Sequence, residues 1–244
     1  MSIRIFIANW KMQLSPSESI KTARSFTRAF KNDNSQIIVC PDFLSLPAIA
    51  KEFKNTNLLL GAQDAAAYER GAYTGEVAAS DLASLGVSYV LVGHSERRSY
   101  LQEDDKLLAA KIRMILDQKM VPVLCVGENA AERKQGRVSS VIRNQLKGAL
   151  QNLSSHDLRS CLIAYEPVWA IGTGLNCEST KALQVKNIIL EWCQRSGVKK
   201  MIVLYGGSVK PENASSFLVA GAFDGLLVGG ASLRADTFKK IVRA

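Results

Sequence analysis

Histidine is nearly missing from this chain: His94 and His156 are the only two in 244 residues. The five cysteines (Cys40, Cys125, Cys161, Cys177 and Cys193) form no CxxC pair. A zinc site of the usual kind therefore lacks ligands, and no metal is expected. An odd cysteine count also argues against a disulfide framework and for reduced thiols in a cytoplasmic protein. No run approaches the roughly 18 apolar residues of a membrane span. The opening MSIRIFIANW has one arginine, a short apolar run and no small-residue cleavage pattern, so it reads as a first strand and not a signal peptide. Long charge runs are lacking too. The net charge is +9, from 31 basic and 22 acidic side chains, but no basic run is longer than a pair such as Arg97-Arg98 or Lys239-Lys240, and no aromatics interleave with them. That pattern does not favour nucleic acid as a partner; the excess suits a scattered solvated surface or an anionic substrate. No linker, low-complexity stretch or internal repeat divides the chain, and one domain over residues 1–244 is expected.

What is present is apolar material, 47% of the residues, in a regular order. Short β-branched runs recur at Arg4–Ala8, Gln36–Cys40, Leu58–Ala62, Tyr89–Val92, Val121–Val126, Cys161–Tyr165, Met201–Leu204 and Gly225–Val228. Most are continuous rather than alternating, as strands buried on both faces require. Between them lie segments with helical periodicity: one opened by Ser15-Pro16, then Asp104–Gln118, Val138–Leu150, Ser179–Arg195, Pro211–Ala220 and Ser232–Val242. Eight strand-like runs alternating with helices predict an α/β fold. A closed (β/α)8 barrel is favoured, and an open doubly wound sheet is the rival. In a barrel, chemistry belongs at the C-terminal ends of the strands.

Those ends carry reactive residues. The first run leads to Asn9-Trp10-Lys11, and a lysine there can anchor an anion. The fourth leads to Gly93-His94-Ser95-Glu96. An imidazole at the start of a helical turn feels positive backbone charge, which favours the neutral form that can donate a hydrogen bond to a carbonyl oxygen. The sixth leads to Glu166-Pro167, where the rigid proline fixes the exit path. Beyond it, Val168-Trp169-Ala170-Ile171-Gly172-Thr173-Gly174 is apolar at its base and glycine-rich at its tip, as suits a lid. Each of Lys11, His94 and Glu166 taken alone reads more readily as a solvated charge or a packed histidine. The seventh and eighth runs end in Gly206-Gly207-Ser208 and Gly229-Gly230. Paired glycine turns after consecutive strands let bare N–H groups approach a phosphate.

Seven segments, in order, resemble the triosephosphate isomerase family. They are residues 9–12 (Asn-Trp-Lys-Met), 71–76 (Gly-Ala-Tyr-Thr-Gly-Glu), 93–98, 125–128 (Cys-Val-Gly-Glu), 164–174, 205–209 and 224–233. The resemblance runs from about residue 3 to near the C-terminus and implies the TIM barrel over the open sheet. It implies an isomerase of glycolysis and gluconeogenesis that interconverts D-glyceraldehyde 3-phosphate and dihydroxyacetone phosphate through an enediolate, without cofactor. By the same resemblance Glu166 is the base and His94 the neutral proton donor. Lys11 and Asn9 stabilise enediolate charge, and Glu96 orients Lys11 and His94. Backbone N–H groups of Gly172, Ser208, Gly229 and Gly230 hold the phosphate. Thr74 lies at the tip of a loop reaching into a partner subunit, which implies a homodimer. An isomerase of a four-carbon sugar phosphate on the same fold is the alternative, since these residues serve any small ketose phosphate.

Two stretches depart from the family pattern. Leu175-Asn176-Cys177 replaces a Lys-Thr-Ala-like hinge, which places a thiol in an expected oxidation-sensitive position. Asp64 stands where asparagine is common.

Overall fold

In the computed structural model, residues 4–171 and 177–244 are described. Eight parallel strands run along them: β1 (Ile5–Asn9), β2 (Gln36–Cys40), β3 (Leu58–Ala62), β4 (Val87–Val92), β5 (Val121–Val126), β6 (Leu162–Tyr165), β7 (Val203–Tyr205) and β8 (Gly225–Val228). Each pairs with its sequence neighbour, and β8 returns to β1 with Phe6 opposite Leu226 and Ala8 opposite Val228. That last pairing closes the barrel and excludes the open sheet.

The continuous apolar runs have the expected cause: both strand faces are buried. Ile5, Ile7, Ile38, Cys40, Tyr89, Leu91, Val123, Cys125, Ala164, Leu204 and Leu227 fill the barrel. The alternate residues, such as Phe6, Ala8, Val90, Val92, Leu124 and Ile163, face outward into a second cluster shared with the helices. The two-residue period of a strand assigns these sides.

The surrounding helices are α1 (Pro16–Ala29), α2 (Leu46–Phe53), α3 (Ala79–Ser84), α4 (Ser95–Tyr100), α5 (Asp105–Asp117), α6 (Ala130–Lys134), α7 (Val138–Leu150), α8 (Ser155–Arg159), α9 (Ser179–Arg195), α10 (Ala214–Leu218) and α11 (Ala235–Val242). Local sequence sets several of their starts. Ser15 accepts a hydrogen bond from the Glu18 N–H, while Glu18 reaches back to the Ser15 N–H at 2.8 Å. Pro16 occupies the first turn, where its missing N–H costs nothing. Asn129 and Glu132 cap α6 in the same reciprocal way. The helix expected over Pro211–Ala220 is shorter, because the Asn213 side chain bonds the Lys210 N–H and the Ser208 carbonyl and makes a turn there instead. No helix among the described residues is long and apolar enough to cross a membrane.

Asp64, the unusual residue after β3, has a structural consequence. The Lys111 ammonium donates to both Asp64 oxygens at 2.8 and 2.6 Å and to Glu103 Oε1 at 2.6 Å. Arg97 lies 2.7 Å from each of the same two carboxylates. The result is a buried ring of two cations and two anions that ties β3, α4 and α5 together. Asparagine at 64 would leave that ring one positive charge in excess, in a place where an uncompensated charge is costly.

Candidate active site

β1, β4 and β6 end at the same mouth of the barrel, so residues far apart in sequence meet there. His94 is the N-cap of α4, and its Nδ1 accepts the Glu96 N–H at 3.3 Å. An accepting Nδ1 leaves the ring proton on Nε2, which points at Glu166 Oε1 3.2 Å away. The other Glu166 oxygen accepts the Ser95 N–H at 3.0 Å. Glu166 and His94 are only 2% and 6% exposed, so both groups work in a largely dry setting. Burial and the adjacent Glu166 charge together push the Cys125 thiol well above its ordinary range, and it stays protonated beneath the carboxylate.

Lys11 approaches from the opposite wall. Its φ of +53° is a left-handed conformation that a non-glycine residue adopts at a cost. Three contacts hold it there. The Asn9 side chain accepts its N–H at 3.1 Å, Gln63 donates to its carbonyl at 2.8 Å, and its Nζ lies 2.6 Å from Glu96 Oε1. Glu96 thus touches Lys11 through one oxygen and lies 3.5 Å from His94 Nδ1 through the other.

These side chains line a cavity of about 660 Å³ together with Ser208, Gly229 and Gly230. A side chain on Gly229 would sit 3.4 Å from Lys11 Cε, so the bare turn and the ammonium are neighbours. Gly230 opens a helical turn whose first N–H groups have no partner within it, and Ser232 closes that turn by donating to the Gly229 carbonyl. Asn9, Lys11, His94, Glu96, Glu166, Ser208, Gly229 and Gly230 are therefore brought together. Gly172 lies outside the described residues. Thr74 stands apart on an exposed loop beside the stacked Tyr68 and Tyr73 rings.

Residue roles invisible in sequence emerge as well. A Cβ on Gly127 would overlap the Glu166 carbonyl oxygen, so only glycine lets β5 and β6 pack this closely. Gln145 grips Gly127 from the far side, accepting its N–H at 2.8 Å and donating to its carbonyl at 3.0 Å, so the backbone has no room to retreat. Gly127→Ala is expected to cost about 1–3 kcal/mol of stability. It should also lower kcat by roughly tenfold or more through displacement of Glu166. Thermal melting and steady-state assays check both, and a variant with wild-type melting and rate would contradict the contact.

Glu128, fully buried, accepts hydrogen bonds from Trp169 Nε1 and Arg133 Nη1 at 2.8 Å and from the Tyr165 hydroxyl at 3.2 Å. The Arg133 guanidinium also lies 4.8 Å over the Trp169 ring. This network pins the helical turn Val168–Ala170 that follows Glu166-Pro167. Cys177 packs beside it. The expectation of an oxidation-sensitive thiol is not met, because Cys177 is 2% exposed and burial raises its pKa to about 11. A thiol that is neither ionised nor accessible is a poor nucleophile.

Positioned acid–base groups around a buried carboxylate, beside glycine turns that suit a phosphate, define a barrel enzyme of proton transfer on small phosphorylated compounds. Comparison with known proteins narrows that class. The family described as "Triosephosphate isomerase" matches residues 4–244. The triosephosphate isomerase of Caldanaerobacter subterraneus subsp. tengcongensis is 42% identical over 242 residues, 98% of each chain. That of Clostridium botulinum is 37% identical over 246 residues, 99% of each. The crystal structure of triosephosphate isomerase from Bartonella henselae superposes with a TM-score of 0.86 at 33% identity, covering 98% of this chain and 97% of that one. The chain belongs to the triosephosphate isomerase family.

Proposed function

We propose that the chain interconverts D-glyceraldehyde 3-phosphate and dihydroxyacetone phosphate, with Glu166 moving the proton between adjacent carbons. The observation that carries this reading is the Glu166 carboxylate held 3.2 Å from His94 Nε2 in the same cavity as Lys11 and the Gly229-Gly230 turn. A proton next to a carbonyl is only weakly acidic, and its removal loads negative charge onto the oxygen. The Nε2–H of His94 and the Lys11 ammonium supply fixed positive ends there, and Asn9 adds a donor at the same wall. His94 donates its Nε2 proton to that oxygen and recovers one from the hydroxyl on the adjacent carbon, while Glu166 delivers the abstracted proton to the former carbonyl carbon. Before it abstracts that proton, Glu166 must exchange its bond from Ser95 for the substrate, so the carboxylate shifts toward the cavity as substrate binds. Ser208, Gly229, Gly230 and Gly172 are assigned the phosphate, and Glu96 the alignment of Lys11 with His94.

The test is an isomerase assay with glyceraldehyde 3-phosphate beside its four-carbon analogue. Preference for the triose supports the reading; preference for the tetrose favours the alternative.

A homodimer built around the Thr74 loop belongs to the same proposal, as does a cytoplasmic location. In support of the dimer, Met12, Leu44 and Tyr100 are 93%, 82% and 81% exposed on segments that leave the C-terminal ends of β1, β2 and β4. Large apolar side chains bared on one side of a molecule mark an interface. Thr74→Arg, which sets a bulky charge at the loop tip, is expected to shift the sedimentation coefficient from dimer to monomer and to reduce activity with it. A wild-type chain that sediments as a monomer at assay concentration would reject the dimer. All five thiols are unpaired, which supports the reducing compartment.

A further inference from the structure

Among the described residues lining the cavity, four carry a formal charge: Lys11, Glu96, Glu166 and Lys210. The two carboxylates cancel the two ammonium groups, so these four side chains together offer a phosphate dianion no net charge. Lys11 is already committed, with its Nζ 2.6 Å from Glu96. Lys210 is different. It is exposed, and no carboxylate pairs with it among the described residues. Its backbone is nonetheless fixed. The Lys210 N–H donates to Asn213 Oδ1 at 2.8 Å, Asn213 Nδ2 donates to the Ser208 carbonyl at 3.0 Å, and the Lys210 carbonyl accepts the Asn213 and Ala214 N–H groups at 3.2 and 3.0 Å. The stem is therefore rooted two residues beyond Ser208, on the turn assigned to the phosphate, while the ammonium stays free in water.

We infer that Lys210 is the capture cation of this site: it draws the phosphate dianion to the mouth and hands it to the Ser208 and Gly229-Gly230 turns. The inference rests on the phosphate assignment above and goes beyond it by naming a residue that acts before chemistry. Without Lys210 the charged lining becomes one anion in excess, and an incoming dianion is repelled rather than ignored. A lysine suits the task because its ammonium is a compact charge on a flexible stem that can follow the ligand inward. An exposed charge of this kind acts across the Debye length, about 30 Å at 0.01 M salt and about 8 Å at 0.15 M, so its contribution must fade with salt.

The experiment compares wild type, Lys210→Gln, Lys210→Glu and Lys21→Gln at about 0.01 and 0.15 M ionic strength. Lys21, exposed on α1 and outside the active-site cavity, controls for net charge alone. Two readouts are taken: kcat/KM for isomerisation, and the Ki of inorganic phosphate as a competitive inhibitor. At low salt Lys210→Gln is expected to lower kcat/KM about 3–10-fold and Lys210→Glu about 10–100-fold, with phosphate Ki rising in parallel. Both differences should shrink at the higher salt, and Lys21→Gln should change neither readout by more than about 1.5-fold. Equal losses at both ionic strengths, equal losses from Lys21→Gln, or a loss confined to kcat with Ki unaltered would each overturn the inference. A wild type that binds phosphate in the salt-dependent, Lys210-dependent way but does not isomerise the triose would sink the isomerase reading and leave the capture role standing.

Discussion

Glu166→Asp is expected to lower kcat by about 10²–10³-fold while KM changes by less than about threefold. The substitution keeps a carboxylate but withdraws it by one methylene. Glu166 starts from a defined place: its backbone N–H donates to the Val126 carbonyl at 2.8 Å, and its carbonyl lies against Gly127, which Gln145 holds. The main chain cannot follow the shortened side chain inward. The shorter acid therefore falls short of the substrate proton, and reaction rates respond steeply to a gap of about 1 Å. The turns at Ser208 and Gly229-Gly230, proposed to hold the phosphate, follow other strands and lose nothing, so binding is expected to be spared. Steady-state kinetics on both substrates decide the matter. A KM raised tenfold with kcat intact would assign Glu166 to binding and remove it from the chemistry.

Lys11→Met should behave differently, losing about 10²–10³-fold in kcat/KM through both parameters. Methionine fills nearly the same volume, so packing against Gly229 survives while the charge disappears. The loss is double. The developing oxyanion forfeits its cation, and Glu96, freed from its 2.6 Å partner, becomes an unpaired negative charge beside the phosphate turn. A companion Lys11→Met/Glu96→Gln variant removes that second penalty. It should regain part of the KM loss and little of the kcat loss. If the double variant is no better than the single one, Glu96 exerts no repulsion and the coupling read from the geometry is wrong. The strained φ of Lys11 gives a further readout: Lys11→Gly should relax the backbone and retain or raise thermal stability while activity collapses.

Much of this was legible in the linear sequence because it is local. Eight β-branched runs at regular intervals marked the strands, and the observed ends differ by at most two residues, as where Met201–Leu204 became Val203–Tyr205. Ser15-Pro16 announced the start of α1, and the glycine pairs after β7 and β8 announced the turns that line the cavity. Where the sequence misled, a longer-range contact had intervened. Asn213 cut short the helix expected from Pro211, and Cys177, expected as an oxidation-sensitive hinge thiol, lies buried in the hydrophobic core.

The chain's own order of residue types determined the strand and helix alternation, the reactive residues at the strand tips and the family they resemble. Backbone propensity and side-chain periodicity act over a few residues and can be read in a line. Only the closed barrel decided which tips face one another: that Ser95 gives its N–H to Glu166, that Gly127 must stay bare to admit the Glu166 carbonyl, that Asp64 completes a ring with Arg97, Glu103 and Lys111, and that Lys210 is the one unpaired cation among the described residues of the mouth. Those contacts join residues 6 to 71 positions apart, and the distant partners are set by strand register and barrel curvature, which no local stretch of sequence encodes.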